Sequence, residues 1–318
     1  EMGAHIKNHF VRRGREWTEN NLQQADQPEG ASFIPEMPGT APGLICPVGD
    51  QVIYAVPGVP FEMRMMAEGT ILPDLRRRSG ETSAIRSRVL RTWGHTESGL
   101  AERLAMRIEE LDQIGNPTLA FQASGIEGLK VRITAKAEDE DAAMEIIDKE
   151  DAIVRALIGD VVFGVDEQSM ESAVLEMLGQ RGLTLGLAES MTGGKVADRL
   201  VAIPGASKVF RGSIVAYASE VKFDVLGVPE GPVVSEDCAL AMAEGARRVL
   251  KSDVGLAITG VAGPDEQEGH RAGTGYIALS MDGMSEARIV HLPGDRERIR
   301  QYAVINLLDL LRRRLVGG

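Results

Sequence analysis

The chain has 318 residues, more than one ordinary domain, and its 43% hydrophobic and 26% charged residues describe a globular protein with enough apolar material for several cores. The formal net charge of −12 argues against a nucleic-acid partner, and no stretch approaches the roughly 20 apolar residues of a membrane span. The two cysteines, Cys46 and Cys238, lie far apart and suit a reducing compartment, and the start lacks the form of a signal peptide. We therefore expect a cytoplasmic protein.

Glycine and proline are concentrated in three strings of the first 80 residues, PEGA at 28–31, GTAPG at 39–43 and PGVPFEM at 57–63. Residues of these types build turns that bring the backbone close to a ligand. Taken one at a time, the strings are explained equally well as ordinary loop punctuation.

Residues 81–166 are predicted to form a small α+β unit with a period of two in its strands and a longer apolar period in its helices. The strands are predicted at 88–93, 129–134 and 161–163, and the helices start at Thr96 or Glu97 and after the acidic residues 138–141. A GIEG string at 125–128 matches the GXXG of nucleic-acid-binding KH domains. The unit carries seventeen acidic against ten basic residues, however, and a phosphate backbone needs the opposite charge. We interpret GIEG as a hairpin turn and expect no nucleic-acid partner.

From residue 167 onward, predicted strands alternate with helices. Met170, Val174, Leu175 and Leu178 predict the first helix, and four apolar runs that end in polar or glycine-rich residues follow as strands. The runs lie at 183–187, 213–217, 254–258 and 275–280, and a last helix opens at 294–296.

Ser190 stands where the first of these runs gives way to a helix. That helix is predicted to open at Thr192 or Gly193, with an apolar face of Val196, Ala197, Leu200 and Val201. The carboxyl ends of strands in open α/β sheets bind ligands, and free N–H groups at a helix N-terminus attract anions. We expect a phosphorylated small molecule beside Ser190.

Six motifs in one order resemble the C-terminal domain of the CinA family, and the resemblance covers 168–318. They are AESMTGG at 188–194, Tyr217 with Lys222, VSE at 234–236, TGVAGP at 259–264, Gly273 with Thr274, and GDR at 294–296. The resemblance implies an amidohydrolase that converts nicotinamide mononucleotide and water into nicotinic acid mononucleotide and ammonia. It also implies a homodimer, a small nucleotide as the partner, and no cofactor.

The chemistry of amide hydrolysis also points to particular residues of this chain. Amide hydrolysis needs a nucleophile, a group to take its proton, donors for the oxyanion and a proton for the departing ammonia. No histidine lies near the motifs, so a Ser-His-Asp arrangement would have to recruit His270 or His291 from far along the chain. A lysine whose pKa is lowered by burial or by nearby cations can replace histidine.

Four residues therefore form the predicted catalytic set. Ser190 is the nucleophile and Lys222 the base. Tyr217 relays the proton or holds Ser190 by a hydrogen bond. Thr259 and the backbone amides of 192–194 face the developing negative charge.

The predicted substrate-binding set surrounds these four residues and consists of Glu189, Thr192, Gly193, Gly194, Gly260, Gly263, Arg296 and Arg300. Arg296, at a helix start, would bind phosphate bidentately. Arg296 and Arg300 are equally explained as a solvated face that pairs with Glu297 or Asp295. The DEQE string at 265–268 could suggest a metal, but adjacent carboxylates in a loop are usually solvated, and no histidine or cysteine lies at ligand spacing. We predict no metal in this domain.

The loop at 265–272 departs from the family pattern. The family commonly has a diglycine after the TG-x-AGP string and a Lys-Pro before the next Gly-Thr, whereas this chain reads DEQEGHRA. We expect this loop to flank the nucleotide site, so the departure bears on substrate preference more than on the fold.

The resemblance extends to the rest of the chain and divides it into three parts. Residues 1–80 are similar to the latter half of the family's molybdopterin-binding-like N-terminal domain, 81–166 to its KH-type middle domain, and 167–318 to the amidohydrolase domain. The predicted fold is thus multidomain α/β, with a C-terminal α/β sandwich, a small α+β KH-like middle domain and an incomplete N-terminal α/β domain. In some members the N-terminal domain is implied to hydrolyse ADP-ribose and related pyrophosphates, where a divalent metal would serve it. Because the chain opens in mid-domain, we assign it neither that activity nor that metal.

Three functions remain in competition. The first is the amidohydrolase, the second a nucleotide pyrophosphatase working through the N-terminal part, and the third a non-catalytic scaffold linked to competence or DNA-damage responses. The intact serine, tyrosine and lysine favour the first.

Overall fold

A computed structural model describes residues 2–12, 14, 18–80 and 83–317. The chain divides into two compact units, Glu1–Ser83 and Ala84–Gly318. The mixed α/β, multidomain fold class predicted from the sequence is confirmed. No helix among the described residues has both the length and the apolar character needed to cross a bilayer.

The first unit contains a small antiparallel sheet in the order β1-β2-β3, with helices before and after it. Its elements are α1 (Met2–Arg12), a 3-10 helix (Glu19–Ala25), β1 (Ser32–Phe33), β2 (Leu44–Val48), β3 (Gln51–Ala55), α2 (Pro60–Met66), a π-helical turn (Ala67–Ile71) and α3 (Leu72–Ser79). Gly43 lies where a Cβ would come within 2.7 Å of the side chains of Ile34 and Met66, both buried. A glycine is therefore needed for these two apolar side chains to meet.

The second unit begins with a four-stranded antiparallel sheet, ordered β5-β6-β4-β7, and two helices that pack against it. Its elements are β4 (Ala84–Thr92), α4 (Glu97–Ile114), β5 (Thr118–Ala123), β6 (Leu129–Ala137), α5 (Glu140–Ile158) and β7 (Val162–Val165). The Thr96 and Asp139 side chains cap the two helices by accepting backbone N–H groups. The GIEG string forms a 3-10 turn, Gly125–Glu127, inside the β5–β6 hairpin, so the hairpin prediction is confirmed.

The remainder of the second unit is a five-stranded sheet, ordered β12-β11-β10-β8-β9, between two layers of helices. Its elements are α6 (Met170–Arg181), β8 (Leu185–Glu189), α7 (Lys195–Val201), β9 (Phe210–Val215), α8 (Ser219–Asp224), α9 (Glu236–Leu250), β10 (Val254–Gly260), β11 (Thr274–Met281), β12 (Met284–His291) and α10 (Arg296–Val316). Helices α6, α7 and α10 cover one face, and α9 covers the other. Strands β9, β8 and β10 are parallel neighbours, so their carboxyl ends share one edge.

The strand before Ser190 and the helix after it both begin later than the sequence predicts. Strand β8 runs two residues further, and α7 starts at Lys195 rather than at Thr192 or Gly193. Gly193 and Gly194 have φ of +59° and +92°, which no right-handed helix accommodates. The two glycines therefore form a turn between strand and helix.

Arg312 joins α10 to the antiparallel sheet. Its guanidinium is buried, pairs with Asp309 at 2.7 Å, and donates to the carbonyls of Asp160 and Val162 at 3.3 and 3.4 Å. The Trp93 ring lies near the ring of Tyr302, which is on α10, with 6.2 Å between the two ring centroids. These contacts hold the two sheets of the second unit together.

Candidate functional site

A cleft of about 310 Å³ opens at the shared edge of β8, β9 and β10. All four predicted catalytic residues and three of the predicted substrate-binding residues line it: Ser190, Tyr217, Lys222, Thr259, Gly260, Gly263 and Arg296. Its volume falls at the lower end of the range for small-molecule pockets. The structure thus brings together residues that are more than a hundred positions apart in the sequence.

Ser190 directly follows β8 and is 9% exposed. Its N–H donates to the carbonyl of Ile258 on β10 at 3.0 Å, and its own carbonyl accepts the Gly193 N–H at 3.0 Å. We call residues 190–194 the serine turn. The turn holds the serine at the end of a buried strand, at the wall of the cleft.

Arg300 lies behind the serine turn and not in the cleft. Its Nε donates to the Met191 carbonyl at 3.1 Å and its Nη2 to the Thr192 carbonyl at 2.7 Å. Thr192 is fully buried, and its hydroxyl finds no partner among the described residues. Arg300, Thr192, Gly193 and Gly194 were predicted to bind substrate, but none of them is among the described residues that line the cleft.

The Glu189 carboxylate also points away from the cleft. It accepts the N–H groups of Gly194, Val196 and Ala197, each at 3.0 Å, and the Ser213 hydroxyl at 2.9 Å. The anion expected at this helix N-terminus is therefore a side chain of the protein itself. The structure therefore differs from the sequence-based expectation for both Glu189 and the helix N-terminus, because these N–H groups already have an acceptor within the protein.

Lys222 lies on α8 and is only 1% exposed. Its Nζ donates to the Ala216 carbonyl at 2.7 Å. Burial lowers the pKa of Lys222 below its ordinary value of 10.5, against the opposing influence of Cys238, Glu268 and Glu220. Such an amine is more readily neutral than a surface lysine, which is the condition for a proton acceptor.

Cys238 is the titratable neighbour of Lys222 on α9. Burial raises the pKa of its thiol to about 11, although Lys222 acts in the opposite direction. The thiol is therefore protonated at neutral pH and adds no negative charge beside the amine.

Arg296 bridges two sides of the cleft mouth. Its Nη2 donates to the Tyr217 hydroxyl at 2.9 Å and its Nη1 to the Gly263 carbonyl at 2.6 Å. Tyr217 is 60% exposed, so it stands at the rim rather than in the interior. Of the ion pairs considered for these two arginines, Arg300 forms the one to Glu297 at 3.4 Å, whereas Arg296 has no ion pair to a described residue.

Thr259 is buried at the end of β10, and its hydroxyl donates to the Val233 carbonyl at 2.6 Å. A hydroxyl has a single proton, so Thr259 in this arrangement presents lone pairs to the cleft and cannot also donate to an oxyanion. The following Gly260, at φ +155°, lies where a Cβ would come within 2.6 Å of the Thr274 carbonyl oxygen. This close approach lets the wall between β10 and β11 form.

The loop at 265–272 contributes residues that sequence reasoning interpreted only as solvated charge. Asp265, Glu266 and Gln267 line the cleft, and Glu266 lies 3.7 Å from Arg271. Glu268 accepts the N–H groups of Val233 and Val234. The signal in the sequence was the position of these residues directly after the TGVAGP string. Among the described residues, no three histidine, cysteine or carboxylate side chains cluster as metal ligands would.

His270 and His291, considered for a Ser-His-Asp arrangement, line a different depression on the surface. The His270 ring packs edge-on against Tyr276 at 6.0 Å between centroids. Neither histidine is among the described residues lining the cleft, so Lys222 is the buried basic group there.

The chain is similar to known proteins over most of its length. The profile of the CinA C-terminal domain matches residues 167–315, and that of the damage-inducible protein CinA KH domain matches 87–164. A CinA-like protein from Frankia casuarinae is 48% identical over 309 residues, 96% of this chain and 71% of that protein. A CinA-like protein from Dictyoglomus turgidum is 42% identical over 318 residues, 98% of this chain and 76% of that protein. A crystal structure of a competence-damaged protein (CinA) superfamily member from Klebsiella pneumoniae matches with 31% identity and a TM-score of 0.46, over 47% of this chain and 97% of that one.

The matched profiles cover both parts of the second unit, and the relatives extend the likeness to nearly the whole sequence. The serine turn, Lys222 and Thr259 all lie inside the C-terminal match. With nearly half of its residues identical over most of a relative's length, the chain belongs to the CinA family.

Proposed function

We propose that this protein hydrolyses the carboxamide of nicotinamide mononucleotide to nicotinic acid mononucleotide and ammonia. The observation that carries the proposal is a buried amine, Lys222, with a lowered pKa, lining the same cleft as Ser190. A serine beside a lysine that can be neutral is a known alternative to a serine beside a histidine. No metal or cofactor is needed in this scheme.

The proposed reaction proceeds in two steps, acylation of Ser190 and hydrolysis of the acyl ester. Ser190 Oγ attacks the carboxamide carbon while the Lys222 amine takes its proton, and the resulting ammonium gives that proton to the departing ammonia. The acyl ester on Ser190 is then cleaved by water, which loses one proton to the neutral amine as its oxygen attacks the ester carbon. Ser190 Oγ leaves that carbon and takes the proton from the Lys222 ammonium, and the acid is released. Ser190 and Lys222 both end the cycle as they began.

Tyr217 supplies the hydrogen-bond donor that Thr259 cannot. Its hydroxyl oxygen accepts from Arg296, so its own proton is not used in that contact and is available to the substrate. The Gly193 and Gly194 amides already have partners within the protein, as does the Thr259 proton. In the proposed mechanism Tyr217 therefore faces the oxyanion or the leaving nitrogen.

Arg296 binds the phosphate in this proposal. A guanidinium has five N–H donors, and the contacts with Tyr217 and Gly263 use two. The remaining donors lie at the cleft mouth and are available to a phosphate. The helix N-terminus behind Ser190 is not, because Glu189 already accepts its N–H groups.

Release of ammonia from nicotinamide mononucleotide tests the proposal. The wild type should release it, Ser190→Ala and Lys222→Ala should not, and Lys208→Ala, an exposed lysine outside the cleft, is the matched control. Equal rates in all four proteins would overturn the mechanism. Hydrolysis of ADP-ribose with a divalent metal would instead indicate the pyrophosphatase, and a biological phenotype that survives Ser190→Ala would indicate the scaffold.

A further inference from the structure

Glu268 occupies an unusual place in the loop that departs from the family pattern. Its backbone has φ of +52°, the left-handed region that a non-glycine residue seldom adopts. Its carboxylate reaches the neighbouring segment, where Oε1 accepts the Val233 N–H at 3.1 Å and Oε2 accepts the Val234 N–H at 2.8 Å. One exposed side chain thus holds two consecutive backbone amides.

Val233 connects this clamp to the floor of the cleft. Its N–H is bound by Glu268, and its carbonyl accepts the Thr259 hydroxyl at 2.6 Å. Val233 and Val234 are both buried and both line the cleft. The Val233 carbonyl is the acceptor of the Thr259 proton, and the N–H in the same peptide group, that of Val234, is held by Glu268.

The direction of the Thr259 proton matters for what can bind. With its proton committed to Val233, the hydroxyl can only accept a hydrogen bond from a ligand. The NH2 group of a carboxamide can donate that bond. A carboxylate has acceptors only, so its oxygen would repel the lone pairs of the Thr259 hydroxyl. The substrate and the product of the proposed reaction differ in this group.

We propose that Glu268 is a positioning residue that, through Val233, turns Thr259 into an acceptor and so makes the cleft prefer a carboxamide over a carboxylate. The inference rests on the proposed function, because it assigns the substrate and product of that reaction to this cleft. The inference gives the loop at 265–272 a role in releasing the acid product.

The test compares binding of nicotinamide mononucleotide and nicotinic acid mononucleotide to proteins that also carry Ser190→Ala, so that no turnover occurs. In this background the amide should bind about tenfold more tightly than the acid, the worth of one hydrogen bond to a charged or desolvated group. Glu268→Asn keeps a residue type that tolerates the left-handed backbone but shortens the side chain and removes one acceptor oxygen. It should bring the ratio of the two dissociation constants close to one.

Three further measurements keep the outcome clear. Glu230→Gln, an exposed carboxylate on the same segment as Val233, is the matched control and should keep the wild-type ratio. Glu268→Gln retains the length of the side chain and one acceptor oxygen, so its ratio of dissociation constants should lie between those of the wild type and Glu268→Asn. Amide hydrogen exchange at 233 and 234 should speed up in Glu268→Asn.

The possible failures are distinguishable. A wild type that binds both nucleotides and releases ammonia, while Glu268→Asn keeps the wild-type ratio, overturns only the inference. Equal weakening of both ligands would mean that Glu268 merely supports the fold, which also overturns it. If neither nucleotide binds, the proposed function and the inference both fall.

Discussion

Replacing Lys222 by methionine should slow catalysis by orders of magnitude while leaving the fold intact. Methionine matches the length of the side chain without its charge, and the position is almost completely buried. Loss of a positioned general base slows a reaction by about 100- to 10,000-fold, equivalent to about 3–5 kcal/mol of activation free energy. The hydrogen bond to the Ala216 carbonyl, worth about 1 kcal/mol, is lost as well. Its loss is offset because an amine no longer has to be desolvated.

The pH dependence should identify the same group. A base must be neutral, so the wild-type rate should rise with pH through the lowered pKa of Lys222 and level off above it. Between that pKa and the ordinary value of 10.5, Lys222 binds more protons in the unfolded chain than in the folded one, so its contribution to the free energy of unfolding rises with pH in this window. Below the window both states are protonated, and the destabilisation is constant.

Initial rates of ammonia release and urea unfolding, both followed from about pH 6 to pH 10, measure these two effects. Lys222→Met should lack the rise in unfolding free energy, whereas Lys208→Met should retain it. A variant that keeps the wild-type rate, or whose stability differs from that of the wild type by the same amount at every pH, would refute the assignment of Lys222 as a buried base.

Three other substitutions test the frame around the cleft. Arg300→Met removes both donors from the carbonyls of the serine turn and should lower kcat about tenfold with little change in KM, which steady-state kinetics would show. Gly260→Ala forces a Cβ to within 2.6 Å of backbone atoms and should destabilise the protein by about 2–4 kcal/mol in urea unfolding, so a neutral effect would contradict the close approach. Arg312→Met leaves the buried Asp309 with one cationic partner instead of two and should cost about 2 kcal/mol by the same assay; an unchanged midpoint would show that the junction contributes nothing.

The placement of the candidate site could be predicted from the sequence because its logic is topological. Apolar runs predicted strands, each run ended in polar residues, and the ends of parallel strands meet at one edge of a sheet. Ser190, Tyr217, Lys222 and Thr259 accordingly line one cleft. No contact between side chains had to be known in advance to reach that expectation.

The partners of individual groups could not be predicted in this way. Glu189, Arg300 and Thr259 are all polar residues inside or beside the motifs. The sequence alone suggests that Glu189 and Thr259 face the substrate, and it leaves Arg300 open between the substrate and a solvated face. Glu189 instead satisfies a helix N-terminus, Arg300 holds carbonyls, and Thr259 donates to a carbonyl from a separate segment. Composition and spacing reveal which groups can bond but not which bonds the fold has already made.

The loop at 265–272 was difficult for the same reason. Its carboxylates resemble solvated charge in the sequence, since nothing there indicates that Val233, more than thirty positions earlier, offers a free N–H to Glu268. The left-handed backbone at Glu268 is also invisible in the residue type, because glutamate carries no preference for it.

The Arg312 junction has a practical consequence for the isolation of the part of the chain that contains the candidate site. A fragment trimmed to begin at 167 would retain every cleft residue, yet it would strip away the two carbonyls, from Asp160 and Val162, that receive this guanidinium. The Arg312 guanidinium would then face water beside exposed apolar side chains of α10. Such a fragment should be prone to self-association, whereas a fragment that begins before β4 should not, because it keeps both carbonyls.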